Sequence, residues 1–214
     1  KGDLTMPICY YTTMCKKYGV EIKMNTEVTA ELVEKESSDV VILATGSVPL
    51  VPRMEGIRQA HLKHAIDVLE GKAVVGKNVL IAGGGMVGAE TADYLGQYGR
   101  EVTIIEMKPE IMEDMHYIHK IALAKHLEDQ KTRIITDATI KKFTKDGVVY
   151  QKDNKEEELS GFDDIVLAFG AVAYNPLEKK LKSRVRELYV IGDAREARTV
   201  EEATEEASKI AVEI

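Results

Sequence analysis

A glycine-rich turn between two apolar segments constrains the fold of this chain more than any other feature. The turn has the sequence GGGMVG at residues 83–88 and follows the apolar run 79–82 directly. The residues after it that would share one helix face are Val87, Thr91, Tyr94 and Leu95. A second apolar run, 102–105, ends at Glu106, about 20 positions after the turn. This order predicts two parallel strands joined by a helix.

The glycines of this turn have the spacing that a bound dinucleotide requires. Gly83 permits the tight turn, Gly85 leaves room for a pyrophosphate, and Gly88 lets the helix approach the strand closely. The helix N-terminus offers N–H groups to phosphates. Glu106 can accept hydrogen bonds from a ribose 2′-hydroxyl and would repel a 2′-phosphate. The sequence predicts Rossmann-type binding of NAD(H) in preference to NADP(H), and Lys108 weakens that preference slightly. The alternative is a glycine-rich turn in another α/β protein.

Composition excludes several classes of partner. The chain has 214 residues, enough for one large domain or two small ones, and a net charge of −7, which disfavours a nucleic-acid backbone as ligand. No apolar run approaches the length of a membrane span. Cys9 and Cys15 form no disulfide framework, so we expect ordinary buried or half-buried thiols in a reducing cytoplasm.

An internal duplication indicates two related units. Residues 39–46 (DVVILATG) resemble 163–170 (DDIVLAFG), and upstream of them residues 20–28 resemble 132–140. The second copy contains a predicted hairpin with its turn at residues 144–147. The first copy lacks a glycine turn of its own. We therefore expect the chain to start inside a domain, after a nucleotide-binding βαβ unit.

Four motifs together resemble one family of flavoproteins. They are VVILATG at residues 40–46 followed by Pro49, the turn that leads to Glu106, AFG at residues 168–170, and LYVIGD at residues 188–193. The chain resembles the C-terminal half of enoate reductase and 2,4-dienoyl-CoA reductase-type flavoproteins, which belong to the two-dinucleotide-binding-domain superfamily. Phe169 stands where that family usually has threonine.

The resemblance implies an α/β fold with a parallel central sheet and a split domain organisation. An NAD(H)-binding domain at residues 51–170 would be inserted into an incomplete FAD-binding domain formed by residues 1–50 and 171–214. The residues expected at FAD are Ala44, Thr45, Gly46, Gly192 and Asp193. The FAD fingerprint, the iron–sulfur segment and the alkene-reducing barrel of the family are missing, so we expect little or no flavin binding by this chain alone.

The residues expected to bind NAD(H) are Gly83, Gly85, Met86, Val87, Gly88, Glu90, Glu106 and Gly170. For Glu90 two interpretations stay open. The resemblance suggests that it approaches the nicotinamide, whereas an acid in the first turn of a helix is also favoured by the helix dipole alone. No catalytic residue and no metal site are predicted.

The implied function is the nucleotide-binding part of an oxidoreductase. It would accept hydride from NADH and pass electrons through FAD to a separate catalytic centre. The alternatives are a non-catalytic NAD-binding module and a subunit complemented by a partner chain. The expected partners are the nicotinamide dinucleotide and the missing N-terminal portion or partner subunit. Apolar surface that would normally contact the missing portion would be exposed here and would favour self-association into a homo-oligomer.

Two further segments carry structural predictions. Residues 130–162 are too polar and turn-rich for a helix, and a small antiparallel piece at about residues 140–160 is expected to cover one side of the sheet. Residues 199–214 predict an amphipathic terminal helix, which in the family closes over the flavin.

Overall fold

The structure is a computed structural model that describes residues 5–58 and 61–214. Its helices are α1 (Met6–Lys17), α2 (Ala30–Glu36), α3 (Ala65–Leu69), α4 (Met86–Gln97), α5 (Tyr117–Asp129), α6 (Glu178–Leu181) and α7 (Val200–Glu213), with a 3-10 turn at Gly192–Ala194. Its strands are β1 (Val40–Leu43), β2 (Ser47–Pro49), β3 (Leu62–His64), β4 (Asn78–Ala82), β5 (Glu101–Ile105), β6 (Arg133–Ile135), β7 (Thr139–Phe143), β8 (Val148–Lys152), β9 (Lys155–Leu159), β10 (Asp164–Leu167), β11 (Ala171–Ala173) and β12 (Glu187–Val190).

The chain divides into two compact units. Among the described residues, the smaller unit comprises those up to Leu43 together with Pro176–Tyr189, and the larger unit comprises those within Ala44–Asn175 and Val190–Ile214. No helix in the described ranges is long and apolar enough to cross a membrane. Within the same ranges, no group of three or more histidine, cysteine, aspartate or glutamate residues could hold a metal ion.

A five-stranded parallel sheet forms the centre of the larger unit. Its strand order is β3-β10-β4-β5-β6, and every neighbouring pair is parallel. Leu80 and Ile81 of β4 are fully buried. Strands buried on both faces read as continuous apolar runs, which explains the sequence of residues 79–82. The predicted α/β fold with a parallel central sheet is confirmed.

Each face of this sheet has its own apolar core. Val79 and Ile81 of β4 face α3, α4 and α5, whereas Leu80 and Ala82 face the antiparallel sheet β7-β8-β9. Successive side chains of a strand point to opposite faces, so one strand serves both cores. The hairpin predicted around residues 144–147 is confirmed, and β9 adds a third strand to it.

Helix α4 is placed as predicted, but its buried face differs from the prediction in one residue. Thr91 and Leu95 are buried, whereas Val87 is 41% exposed. Gly88, Ala89 and Ala92 complete the buried face, and the predicted Tyr94 is half-buried against it. A face made largely of small residues lets the helix pack closely on the sheet. Val87 lies in the first turn and points away from that contact.

Two acidic residues at the start of β10 form hydrogen bonds with backbone N–H groups at the start of β4. Asp163 Oδ2 accepts hydrogen bonds from the N–H groups of Lys77 and Asn78 at 2.7 and 2.8 Å. Asp164 Oδ2 accepts from Gly76 N–H at 2.7 Å, and its Oδ1 lies 2.7 Å from Lys63 Nζ. These contacts fix the register of the two strands at the edge opposite the glycine turn.

We expect Asp163→Ala to lower the free energy of unfolding by about 1–2 kcal/mol, because two backbone N–H groups lose a charged acceptor. Urea denaturation measures this value. Asp129→Ala is the matched control, since Asp129 makes an exposed ion pair with Lys125 on α5, and such pairs contribute less than about 0.5 kcal/mol. Equal effects of the two substitutions would contradict the proposed role of Asp163.

The smaller unit contains helices α1, α2 and α6, and strands β1 and β12 pair with each other. No residue of α1 is buried. The prediction of buried or half-buried thiols is therefore wrong for Cys9, which is exposed, and correct for Cys15, which is half-buried. The large apolar side chains exposed on α1 include Met6, Ile8, Tyr10 and Tyr11.

The predicted repeat is matched in the structure only in its downstream half. Residues 39–46 contain β1 and residues 163–170 contain β10. Upstream, residues 132–140 contain β6, whereas residues 20–28 contain no strand. β6 pairs with β5, whereas residues 20–28 take part in none of the strand pairings among the described residues. Strands are stabilised by the hydrogen bonds of their ladders, and residues 20–28 lack such a ladder here.

Candidate nucleotide-binding site

A cleft of about 460 Å³ opens in the larger unit, where strands β4, β5 and β10 end. The carboxyl end of a parallel sheet is the usual place for a ligand in open α/β folds. Apolar side chains form most of its walls, among them Leu50, Met54, Ile140 and Phe169. The predicted residues that line it are Gly83, Gly85, Met86, Val87, Glu106 and Gly170. Gly88 is buried beneath the turn, and Glu90 is half-buried on α4 away from the lining.

The three motif glycines differ in what surrounds them. Gly83 has φ +105°, and a Cβ there would lie 2.4 Å from Ala168 O. A Cβ on Gly88 would lie 2.0 Å from Gly83 O. Both positions therefore exclude any side chain. Gly85 is open by comparison, because the nearest atoms to a Cβ there are the carboxylate oxygens of Asp114, at 3.7 and 3.8 Å.

Glu106 is held in place by backbone N–H groups. It is 8% exposed, its Oε2 accepts from Gly84 N–H at 2.6 Å, and its Oε1 accepts from Lys108 N–H at 2.9 Å. A carboxylate has about four lone-pair sites, so the two bonds leave others available at the cleft. The side chain is thus oriented before any ligand arrives.

Among the described residues, two charged side chains line the cleft, Glu106 and Asp114, and both are acidic. Lys108 is the nearest cation in sequence, and its Nζ lies 2.7 Å from Glu113 Oε2. The hydrogen bond with Glu113 and then its negative charge hold the pKa of the Lys108 ammonium above its ordinary value. Lys108 therefore remains charged but is already paired with a carboxylate.

Asp114 belongs to no sequence motif, and sequence analysis missed it. Its Oδ1 accepts a hydrogen bond from Met86 N–H, the first residue of α4, at 3.1 Å. The segment that carries it is attached to the turn, since Met112 N–H donates to Gly84 O at 2.8 Å. No residue type in this segment signals the contact, because it depends on the path of the backbone.

The residues predicted for FAD lie around the paired strands β2 and β11. Thr45 Oγ1 donates to Tyr174 O, and Tyr174 N–H donates to Gly46 O at 2.9 Å. Asp193 is half-buried, and its Oδ2 accepts from Ser47 Oγ at 2.9 Å. Asp193 is therefore brought close to the segment that contains Thr45 and Gly46.

The other two residues predicted for FAD, Gly192 and Ala44, make none of the contacts described around β2 and β11. Gly192 is buried, and its N–H donates to Glu206 Oε2 of α7 at 2.8 Å. Ala44 is exposed. The second oxygen of Asp193 accepts from Arg198 N–H at 3.2 Å, just before α7. The predicted terminal helix α7 is confirmed, with Thr199 and Glu202 forming a capping box at its start.

Known proteins resemble this chain in sequence, and a solved structure resembles it in fold. Residues 9–207 match the family described as pyridine nucleotide-disulphide oxidoreductase. The chain is 32% identical to the cinnamate reductase of Clostridium sporogenes, over all of the chain and 32% of that protein. It is also 32% identical to an NADH oxidase of Thermoanaerobacter brockii, over 92% of the chain and 31% of that protein.

A solved structure of a 2-naphthoyl-CoA reductase complex superposes with a TM-score of 0.92 at 31% identity, covering 99% of this chain and 32% of that one. The chain therefore spans about a third of the length of these relatives. The resemblance to enoate reductase-type flavoproteins is confirmed. Homologues in this family are enzymes that use NAD(H) and FAD. On the match over residues 9–207, the chain belongs to the pyridine nucleotide-disulphide oxidoreductase family.

Proposed function

We propose that this chain is the pyridine-nucleotide-binding part of a flavin-dependent oxidoreductase. In the intact protein, NADH would deliver hydride to FAD, and the electrons would continue to a separate catalytic centre of the enoate or dienoyl-CoA reductase type. The observation that carries the proposal is the cleft, in which an open glycine at the start of α4 faces a buried, oriented Glu106.

The chain's own residues would bind and orient the nucleotide. The N–H groups at the start of α4 suit a pyrophosphate, since they and the helix dipole favour an anion. Glu106 suits the adenosine ribose, because its free lone pairs can accept from the 2′-hydroxyl. The apolar walls of the cleft suit the flat adenine and nicotinamide rings. The paired state of Lys108 leaves a 2′-phosphate without a free cation there, which favours NADH over NADPH.

The residues predicted for FAD fit part of a flavin site. Asp193 is fixed by Ser47 Oγ and Arg198 N–H, one bond on each oxygen, so it keeps acceptor capacity for the hydroxyls of a ribityl chain. Bound FAD would accept the hydride and release electrons one or two at a time. We assign residues 51–170 to the NAD(H)-binding domain, and residues 1–50 and 171–214 to the FAD-binding portion.

The function is tested by titrating the protein with NADH, whose fluorescence is not obscured because the chain has no tryptophan. We expect Glu106→Gln to weaken NADH binding about tenfold, since a charged acceptor contributes about 1.5–3 kcal/mol. Binding of NADPH should change less. Glutamine keeps one acceptor oxygen for Gly84 N–H, whereas arginine would bring a cation against two N–H donors and disturb the fold.

Glu101→Gln is the control, because Glu101 lies at the opposite end of β5 in an exposed pair with Lys77. NADH affinity in Glu101→Gln should stay within about twofold of the unmodified protein, as expected for an exposed ion pair. If Glu106→Gln binds NADH as tightly as Glu101→Gln does, Glu106 is not at the ribose.

Two other functions remain as alternatives, a non-catalytic NAD-binding module and a subunit complemented by a partner chain. Asp193 favours the redox function, since a protein that binds NAD alone has no use for a flavin-binding carboxylate. Absorption spectra before and after adding FAD and desalting show whether this chain holds flavin without the rest of the protein. A retained flavin band supports the redox function, and NADH should then bleach it.

The partners follow from the same proposal. A catalytic portion or partner subunit would cover the apolar side chains of α1, and self-association would cover them in the isolated chain. The free thiols of Cys9 and Cys15 suit the reducing cytoplasm. Size-exclusion chromatography with light scattering measures the self-association.

A further inference from the structure

Asp114 lies where the cleft meets the start of α4. A Cβ built on Gly85 would lie 3.7 Å from Asp114 Oδ2 and 3.8 Å from Oδ1, and Oδ1 accepts from Met86 N–H at 3.1 Å. Both carboxylate oxygens therefore face the space that the missing side chain of Gly85 leaves. In a dinucleotide-binding turn this space admits the pyrophosphate.

A pyrophosphate bound at this turn needs the same N–H group. The first N–H groups of a helix have no partner within the helix, and here Asp114 satisfies that of Met86. Two anions at one donor repel each other. Among the described residues, no lysine or arginine lines the cleft to offset that repulsion.

The carboxylate can leave this position while the backbone stays in place. The preceding segment is anchored, since Met112 is 2% exposed and its N–H donates to Gly84 O at 2.8 Å. Asp114 follows two residues later and is exposed. Rotation about its side-chain bonds is enough to turn the carboxylate into solvent.

We propose that Asp114 sets the affinity of the cleft for pyridine dinucleotides: its carboxylate occupies the pyrophosphate position in the free protein and yields it when the nucleotide binds. This inference rests on the proposed function. It predicts that removing the charge of Asp114 tightens nucleotide binding, which is the opposite of what substitution in a binding residue usually does.

A purely structural role for Asp114 predicts a different result. If the carboxylate only supports the start of α4, its replacement loosens the turn and weakens binding. Asparagine separates the two roles, because it keeps an acceptor oxygen for Met86 N–H and loses the charge. Asp114→Ala is the second variant, which removes both the charge and the acceptor.

The experiment is a fluorescence titration with NADH at low and high ionic strength. We expect both Asp114 variants to bind NADH about fivefold more tightly at low salt, in line with the strength of helix-end charges, with the gain shrinking as salt screens it. Glu110→Gln is the matched control, because Glu110 lies in the same segment, pairs with Lys120 at 2.9 Å and does not line the cleft. Its NADH affinity should not change.

Competition with adenosine locates the effect. Adenosine has no phosphate, so its affinity should be the same in the unmodified protein and in Asp114→Asn. An equal gain for adenosine and NADH overturns the inference, as does NADH binding that neither Asp114 variant tightens. If neither the unmodified protein nor any variant binds NADH, the proposed function fails and the inference fails with it.

Discussion

Gly85→Leu is expected to weaken NADH binding about a hundredfold or more, a change of roughly 2.7 kcal/mol, while the protein stays folded. Gly85 has φ −65° and ψ −173°, a conformation that leucine adopts without strain. Its Cβ would meet only the oxygens of the exposed Asp114, so the side chain enters the cleft at the start of α4. There it fills the space of the pyrophosphate.

Fluorescence titration with NADH measures the loss, and thermal unfolding checks the fold. The free energy of unfolding should fall by about 1 kcal/mol, since leucine is a poorer helix N-cap than glycine. Gly85→Ala provides a graded comparison, because a methyl group fills less of the same space. Unchanged NADH affinity in Gly85→Leu would refute the assignment of this cleft.

In contrast to Gly85→Leu, Gly88→Ala is expected to act mainly on stability, lowering the free energy of unfolding by about 3 kcal/mol. The new methyl group would lie 2.0 Å from Gly83 O and 3.0 Å from Gly83 C. These are backbone atoms of the tight turn, which is itself confined by Ala168 O. The strain can be relieved only by moving α4 away from the sheet. Urea denaturation measures the change.

Gly96→Ala is the control within the same helix. Its Cβ would approach Gln130 Oε1 to 2.0 Å, but this atom ends a side chain, which can move aside by giving up the hydrogen bonds of its Nε2 with Asp93. Alanine also favours a helix over glycine by about 1 kcal/mol, which offsets part of the disturbance. Losses of equal size in Gly88→Ala and Gly96→Ala would show that the turn does not require a glycine at position 88.

Much of the larger unit could be predicted because its signals are local. The glycine turn, the run that ends at Glu106 and the hairpin around residues 144–147 each lie within a short stretch of sequence. Strand β3 was not predicted, since its only described neighbour is β10, about 100 residues later. Three residues of mixed polarity give no alternating pattern, and only the tertiary pairing makes them a strand.

The part of the candidate site that belongs to the local motif could be predicted, and the rest could not. The motif identified Gly85 and Glu106, because turn and acid have a fixed spacing. It could not identify Asp114, whose position depends on the backbone of the segment after β5. Met112 in that segment has φ +59° although it is not glycine. Burial and a hydrogen bond to the turn hold it there, and neither is visible in sequence.

The antiparallel pairing of β2 with β11 has a consequence for the way this protein is built. Pro49 lies opposite Ala171, and Leu50 N–H donates to Gly170 O at 3.0 Å. Residues 50–170 therefore leave and rejoin the chain at neighbouring points. A domain with adjacent ends can be inserted into a host, exchanged or removed without displacing the host's other strands. Under the domain assignment proposed above, grafting a related domain at this junction would change the nucleotide that donates electrons in a single recombination step.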